Sequence, residues 1–200
     1  MDMNAAPAPG VYRIDPEATE IRFATRHIFG LLPVTGSFAL DHGELRIAEP
    51  ATDSTVDAVV RAGSFASGIA ARDHKVRSDV YLDAAAHPEI VYHGLRVEPS
   101  SDGARVHGTL TVRGVTRPTV LTLTSLVVED GVLRARAETT VDRYAFGLTR
   151  EKGMTGRHFR LFLAVTATSV TPRTDSGHLV SQHENASAPG VEVRRSRAGR

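Results

Sequence analysis

The chain has 200 residues, 41% hydrophobic and 24% charged, with 24 Lys and Arg against 23 Asp and Glu, the make-up of one ordinary globular domain with room for a flexible end. It has no cysteine, which excludes disulfides, thiolate nucleophiles, iron–sulfur clusters and most structural zinc sites. A near-neutral body offers no footprint for a nucleic-acid backbone, and no run approaches the ~18 apolar residues of a membrane-spanning helix, so neither a nucleic-acid partner nor an integral membrane segment is expected.

Residues 1–10, MDMNAAPAPG, read as a flexible lead-in. They carry neither a basic n-region nor an apolar h-region, and the expected location is therefore cytoplasmic. A single domain is expected over residues 11–170, where the dominant period is two, the mark of strands. Ile21, Phe23 and Thr25 share one face, and Glu20, Arg22, Ala24 and Arg26 the other. After a turn at Gly30–Pro33, Gly36, Phe38 and Leu40 continue the alternation. Val56, Ala58 and Val60 extend it, then Ile90 and Tyr92, then Val106, Leu110 and Val112. Leu133, Ala135, Ala137 and Val141 alternate with Arg134, Arg136 and Glu138, and Phe159, Leu161, Leu163 and Val165 form the last strand. Glycine-bearing turns such as Ser101-Asp102-Gly103 and Asp130-Gly131 separate these runs.

One stretch breaks the period. Residues 67–86, SGIAARDHKVRSDVYLDAAA, place Ile69, Val76, Val80 and Ala84 at helical spacings, which predicts one or two short helices ending before His87-Pro88. Residues 171–200 lack periodicity and carry five Arg against three acidic residues. They read as a disordered tail whose removal should leave the fold intact.

About eight amphipathic strands without helices to cover them must cover one another, as a sandwich or a closed barrel. A barrel of that size is either just filled by side chains or holds one small ligand. The small inward positions Thr25, Gly36, Ala58, Gly108, Ala135 and Ala137 suit a hollow tube, and equally a tube that flattens and packs shut. The face pattern places Phe23, Phe38, Tyr92, Leu110 and Leu161 inward, and Arg22, Arg113, Arg134 and Arg160 outward.

Several segments taken in order carry a resemblance: VYRIDP at residues 11–16, IRFATRHIFGLLPVTGSF at 21–38, Arg72-Asp73 followed by Arg77-Ser78, HPEIVYHG at 87–94, GTLTVRGVTRPTVLTL at 108–123, and DRYAFGL at 142–148. Together they resemble the YceI family of lipocalin-like proteins over about residues 11–170. The resemblance implies an all-β fold, an eight-stranded antiparallel lipocalin-like barrel with a short helical insertion around residues 67–86. It further implies a lumen that binds an isoprenoid quinone, polyprenyl lipid or other long-chain apolar ligand, and a homodimer as a frequent assembly. Tyr12 stands where the family commonly has tryptophan, Val80 where it has an aspartate, and Tyr81-Leu82 where it has an aromatic pair. These departures fall on the expected ligand mouth.

Pattern and resemblance together nominate Phe23, His27, Phe38, Tyr81, Tyr92, Leu110, Val112, Phe146 and Leu161 as ligand-contacting lumen residues, with Arg72 and Arg77 at a head group or mouth. His27 reads either as a hydrogen-bonded interior histidine or as a ligand contact. Arg72-Asp73 reads either as a local ion pair or as a head-group anchor. Asp142-Arg143 reads as a similar anchor or as the brace of a strand end. The nine histidines form neither His-x-His nor HExxH, so no metal is expected. With no GxSxG, P-loop or GxGxxG, no cofactor and no catalytic residues are expected either. Two other functions stay open: an enzyme modifying such a lipid, with His27 as acid or base, and a packed-lumen interaction protein. Filling the tube at Gly108 or Ala135 with Phe should abolish ligand capacity, whereas Arg72→Ala should weaken binding only modestly.

Overall fold

Alternating apolar and polar residues resolve into antiparallel strands that close on themselves. A computed structural model describes residues 7–27, 32–101 and 103–170. In chain order they form β1 (Gly10–Ile14), β2 (Glu20–His27), β3 (Leu32–Phe38), β4 (Leu40–Ile47), β5 (Thr55–Arg61), α1 (Ala70–Arg77), β6 (Glu89–Ser100), β7 (Gly103–Val112), β8 (Val115–Glu129), β9 (Val132–Asp142) and β10 (His158–Ser169). The last strand pairs with three others. β9 lies along one of its edges, and the other edge takes β2 at residues 160–164 and β1 at 167–169. β1 and β2 are thus one wall strand interrupted at residues 15–19, and β3 and β4 are a second, interrupted only at Ala39. Ten segments make an eight-stranded closed barrel, as expected.

Connections alternate between the two ends. One end carries the end of β2 and the start of β3, residues 62–88 with α1, the turn at Arg113-Gly114 and the loop 143–157. The other carries 48–54, the β6–β7 turn and Asp130-Gly131. Both Arg113 (φ 50°) and Gly114 (φ 72°) take left-handed conformations, as do Asp130 (51°) and Gly131 (79°). Two such residues in succession give the hairpin twist that suits flanking strands.

Three irregularities re-aim the strands, between Leu40 and His42, Gly94 and Arg96, and Leu123 and Ser125. Each extra residue flips the parity of the strand beyond it, which is why Leu121 and Leu123 face inward before the bulge and Leu126 and Val128 after it.

The core divides in two. Towards the far end, Tyr12, Ile14, Ile21, Leu40, Leu133 and Ala167 pack into one buried cluster. Nearer α1, Phe23 stacks on Phe65 with centroids 5.0 Å apart and tilts against Phe38 and Phe159 at 5.8 and 5.7 Å, within the range of favourable ring pairs.

The insertion holds one short helix, α1, within the expected one or two, and residues 78–86 turn instead of continuing it. The Ser78 hydroxyl donates to the Lys75 carbonyl and accepts from the Val80 amide, a local arrangement that competes with the helical ladder. Arg113, expected on an outer strand face, lies in the β7–β8 turn and is half-buried. It donates to the Tyr81 carbonyl and lies 3.8 Å from the Asp83 carboxylate. Arg22, Arg134 and Arg160 do face outward.

A candidate ligand cavity with a polar mouth

Because period-two strands direct every second side chain inward, the barrel axis is lined by apolar groups. They leave an internal cavity of about 310 Å³. Its size and lining resemble those of small-ligand sites more than those of a packed core. Ala58, Ala135 and Ala137 line it, and their short side chains leave that volume open. Gly108 and Gly36, expected to leave volume too, do not. A Cβ on Gly108 would fall 2.1 Å from the His93 carbonyl oxygen, and one on Gly36 2.1 Å from that of Ala66. These glycines permit close backbone approach, so a bulky side chain at Gly108 strikes the wall before it fills the lumen.

The structure brings Phe23, Phe38, Tyr81, Tyr92, Leu110, Val112, Phe146 and Leu161 to the cavity wall, together with Arg72. Tyr92 is buried and its hydroxyl donates to the Val106 carbonyl at 2.9 Å; burial pushes its pKa up from the ordinary value. The side chain of His27 lies outside the described residues. Arg77 is not part of the wall, because its guanidinium donates to the Phe65 carbonyl and fastens α1 to the preceding segment. Nor do Arg72 and Asp73 form an ion pair. Asp73 accepts from the Ser67 amide and hydroxyl at 2.9 and 2.6 Å, while Arg72 has no hydrogen-bond or ion-pair partner among the described residues.

One end of the cavity is polar. Lys75, Tyr81, Arg143, Glu151 and Thr155 line it along with Arg72. Since the Lys75 and Glu151 side chains are 48% and 43% exposed, the cavity meets solvent here. At the other end Tyr12, expected at the mouth, is instead buried with Leu133 and Ala167 below the cavity, where they close the floor. Glu151 joins the mouth across the chain, accepting from Lys75 Nζ, from the Tyr81 hydroxyl at 2.7 Å and from the Thr155 hydroxyl at 3.2 Å. These donors hold its carboxyl down at about 2. Tyr81 is raised instead, chiefly by burial. Lys75 is raised by its bond to Glu151. This cluster clasps α1 to the 143–157 loop.

Arg143, only 4% exposed, sets the shape of that loop. Its guanidinium donates to the carbonyls of Gly156 (2.8 Å), Arg150 (2.8 Å), Thr155 (3.1 Å) and Leu148. It also stands 4.8 Å from the Tyr144 ring centroid and 6.0 Å from that of Tyr81. Asp142 beside it caps the following 3-10 turn through the Tyr144 amide and pairs with Arg157 at 2.6 Å, which holds its carboxyl below the ordinary value. The sequence singled out Asp142-Arg143 but missed Lys75, Glu151 and Thr155. Lys75 and Glu151 are 76 positions apart, and no periodicity links them.

The barrel has counterparts among known proteins. A family profile for the YceI-like domain matches residues 12–167. A UPF0312 protein of Yersinia pestis is 29% identical over 170 residues, covering 80% of this chain and 86% of its own. One from Pectobacterium atrosepticum is 29% identical over 163 residues, with 77% and 84% covered. Among solved structures, BcnA of Burkholderia cenocepacia superposes with a TM-score of 0.69 at 15% identity, covering 78% of this chain and 99% of its own. A polyisoprenoid binding domain from Saccharophagus degradans gives 0.61 at 14% identity, with 81% and 99% covered. With the match spanning nearly the whole barrel, the chain belongs to the YceI-like family.

Proposed function

We propose that the barrel binds one elongated apolar lipid of the isoprenoid class, its chain in the lumen and its polar end among Arg72, Tyr81 and their neighbours at the mouth. The supporting observation is a cavity of about 310 Å³ that is apolar along its length, floored at one end and polar only where it opens. Burying each methylene contributes ~0.8 kcal/mol, so a long chain needs little polar recognition. Arg72, with no partner among the described residues, is the mouth cation left to meet a head group. Lys75 and Arg143 are already engaged. The described mouth favours binding over proton-transfer chemistry. Glu151 stays ionised and the Tyr81 hydroxyl titrates above its ordinary value, so neither changes charge near neutral pH. The fold relative described as a polyisoprenoid binding domain is consistent with this class of ligand.

Organic extraction of protein purified from its native host, followed by mass spectrometry, tests the reading. One lipid species near unit stoichiometry is expected. Protein that comes away empty, and stays empty after incubation with a polyprenol or a quinone, would refute it.

A further inference from the structure

Among the described residues seven large apolar side chains are exposed, and four of them stand at the mouth end. Leu32 opens β3, Ile69 precedes α1, Val80 lies in the turn after it, and Met154 sits in the 143–157 loop; they are 38–53% exposed. Their segments adjoin, because Glu151 clasps α1 to the loop and Gly156 packs on Thr25 and Arg26 at the end of β2. Charge divides along the same axis. Residues 62–88, 113–114 and 143–157 hold eight Arg or Lys against four Asp or Glu. Setting aside the buried Arg143 and Asp73 leaves that net of +4 unchanged. At the far end, residues 48–54, 101 and 130–131 carry Glu49, Asp53 and Asp130 and no basic residue. Among the described residues the barrel is therefore basic where its cavity opens and acidic where it is floored.

We propose that the mouth end docks on an anionic lipid bilayer, with Leu32, Ile69, Val80 and Met154 entering the interface and the surrounding Arg and Lys facing the head groups. Exposed apolar side chains inside a basic rim are the composition that interfacial binding requires. The far end is repelled by the same surface, which orients the barrel with its opening down. The use of such docking rests on the lipid-binding reading above: a chain passing directly from bilayer to lumen exposes no methylenes to water on the way.

Sedimentation of the full-length protein with vesicles tests this. Binding to phosphatidylcholine containing about a quarter phosphatidylserine should exceed binding to phosphatidylcholine alone at least about tenfold, and should fall with added salt. Ile69→Asp combined with Met154→Asp should lower it at least about tenfold. Leu95→Asp, on the outer wall where Leu95 is 63% exposed, should leave it unchanged, with circular dichroism confirming the fold of each variant. Absence of binding to anionic vesicles at low salt overturns the proposal, as does an equal loss from Leu95→Asp. A dimer detected by light scattering without vesicles and dissolved by the mouth substitutions, with no sedimentation, assigns the surface to a second copy and also overturns it. Uptake of a dansyl-labelled polyprenol is read separately. Uptake without vesicle binding sinks the docking alone, whereas vesicle binding without uptake supports the docking and sinks the lumen reading.

Discussion

Arg143 carries a permanent charge to a position almost sealed from water, with no carboxylate among the described residues to meet it. Four carbonyl dipoles and two tyrosine rings stand in for the missing anion, and those carbonyls belong to one loop. Replacement by Met keeps an unbranched apolar stem and removes every donor. Four carbonyls would then lose their partner, so Arg143→Met should cost about 3 kcal/mol or more, read as a lowered urea midpoint at constant slope. Small residues show how much position matters. Ala135 faces open lumen, so Ala135→Phe should empty the cavity of lipid while lowering stability by ~1–3 kcal/mol at most. Gly108 also points inward by parity, but it faces the immovable His93 carbonyl. Gly108→Phe should instead yield little folded protein. Lipid retained per mole of folded protein separates the two outcomes. The sequence could not distinguish these sites, because alternation reports the face of a residue and says nothing of the distance to the neighbouring backbone.

At the scale of elements, the strands were legible because each writes its period locally, and Phe23, Tyr92 and Leu161 fell on the expected face. The bulges were not, since an extra residue at Thr124 or Leu95 leaves alternation intact on both sides and shifts only its phase. The clasp between α1 and the 143–157 loop was invisible for another reason: its members meet only after the barrel has closed. Its pH dependence arises from Glu151. A carboxyl held at about 2 in the folded protein, against ~4.3 in the unfolded chain, contributes fully above the unfolded value. That contribution is lost as pH falls toward 2. Because the pair is nearly half exposed, solvent screening limits the effect to about 1 kcal/mol or less. Wild type should therefore lose more stability than Glu151→Gln between about pH 7 and about pH 3. Equal losses in urea titrations would show that the clasp does not stabilise the closed mouth.

At the scale of the molecule, β2 closes the barrel against β10 towards the mouth, and a short seam with β1 closes the far end. β10 reaches β1 through Tyr12 with Ser169, Arg13 with Thr168 and Ile14 with Ala167, and the Val170 amide adds a bond to the Val11 carbonyl. Ala167 is fully buried against Tyr12 and Leu133 in the cluster that floors the cavity. Every one of these contacts is complete by residue 170, whereas residues 171–200 lie outside the described structure and were read from sequence as dispensable. Two truncations separate the roles. A chain ending at Val170 should keep its melting temperature within about 4 °C of the full-length protein, the equivalent of ~1 kcal/mol or less, and should retain its lipid. A chain ending at Val165 loses the seam, exposes the edge of β1 and unroofs the floor, so an open sheet edge and an apolar cluster both face water. That shorter chain should aggregate or melt far below the longer one and hold no lipid. If both truncations behave alike, the β1–β10 seam does not hold the far end of the barrel closed.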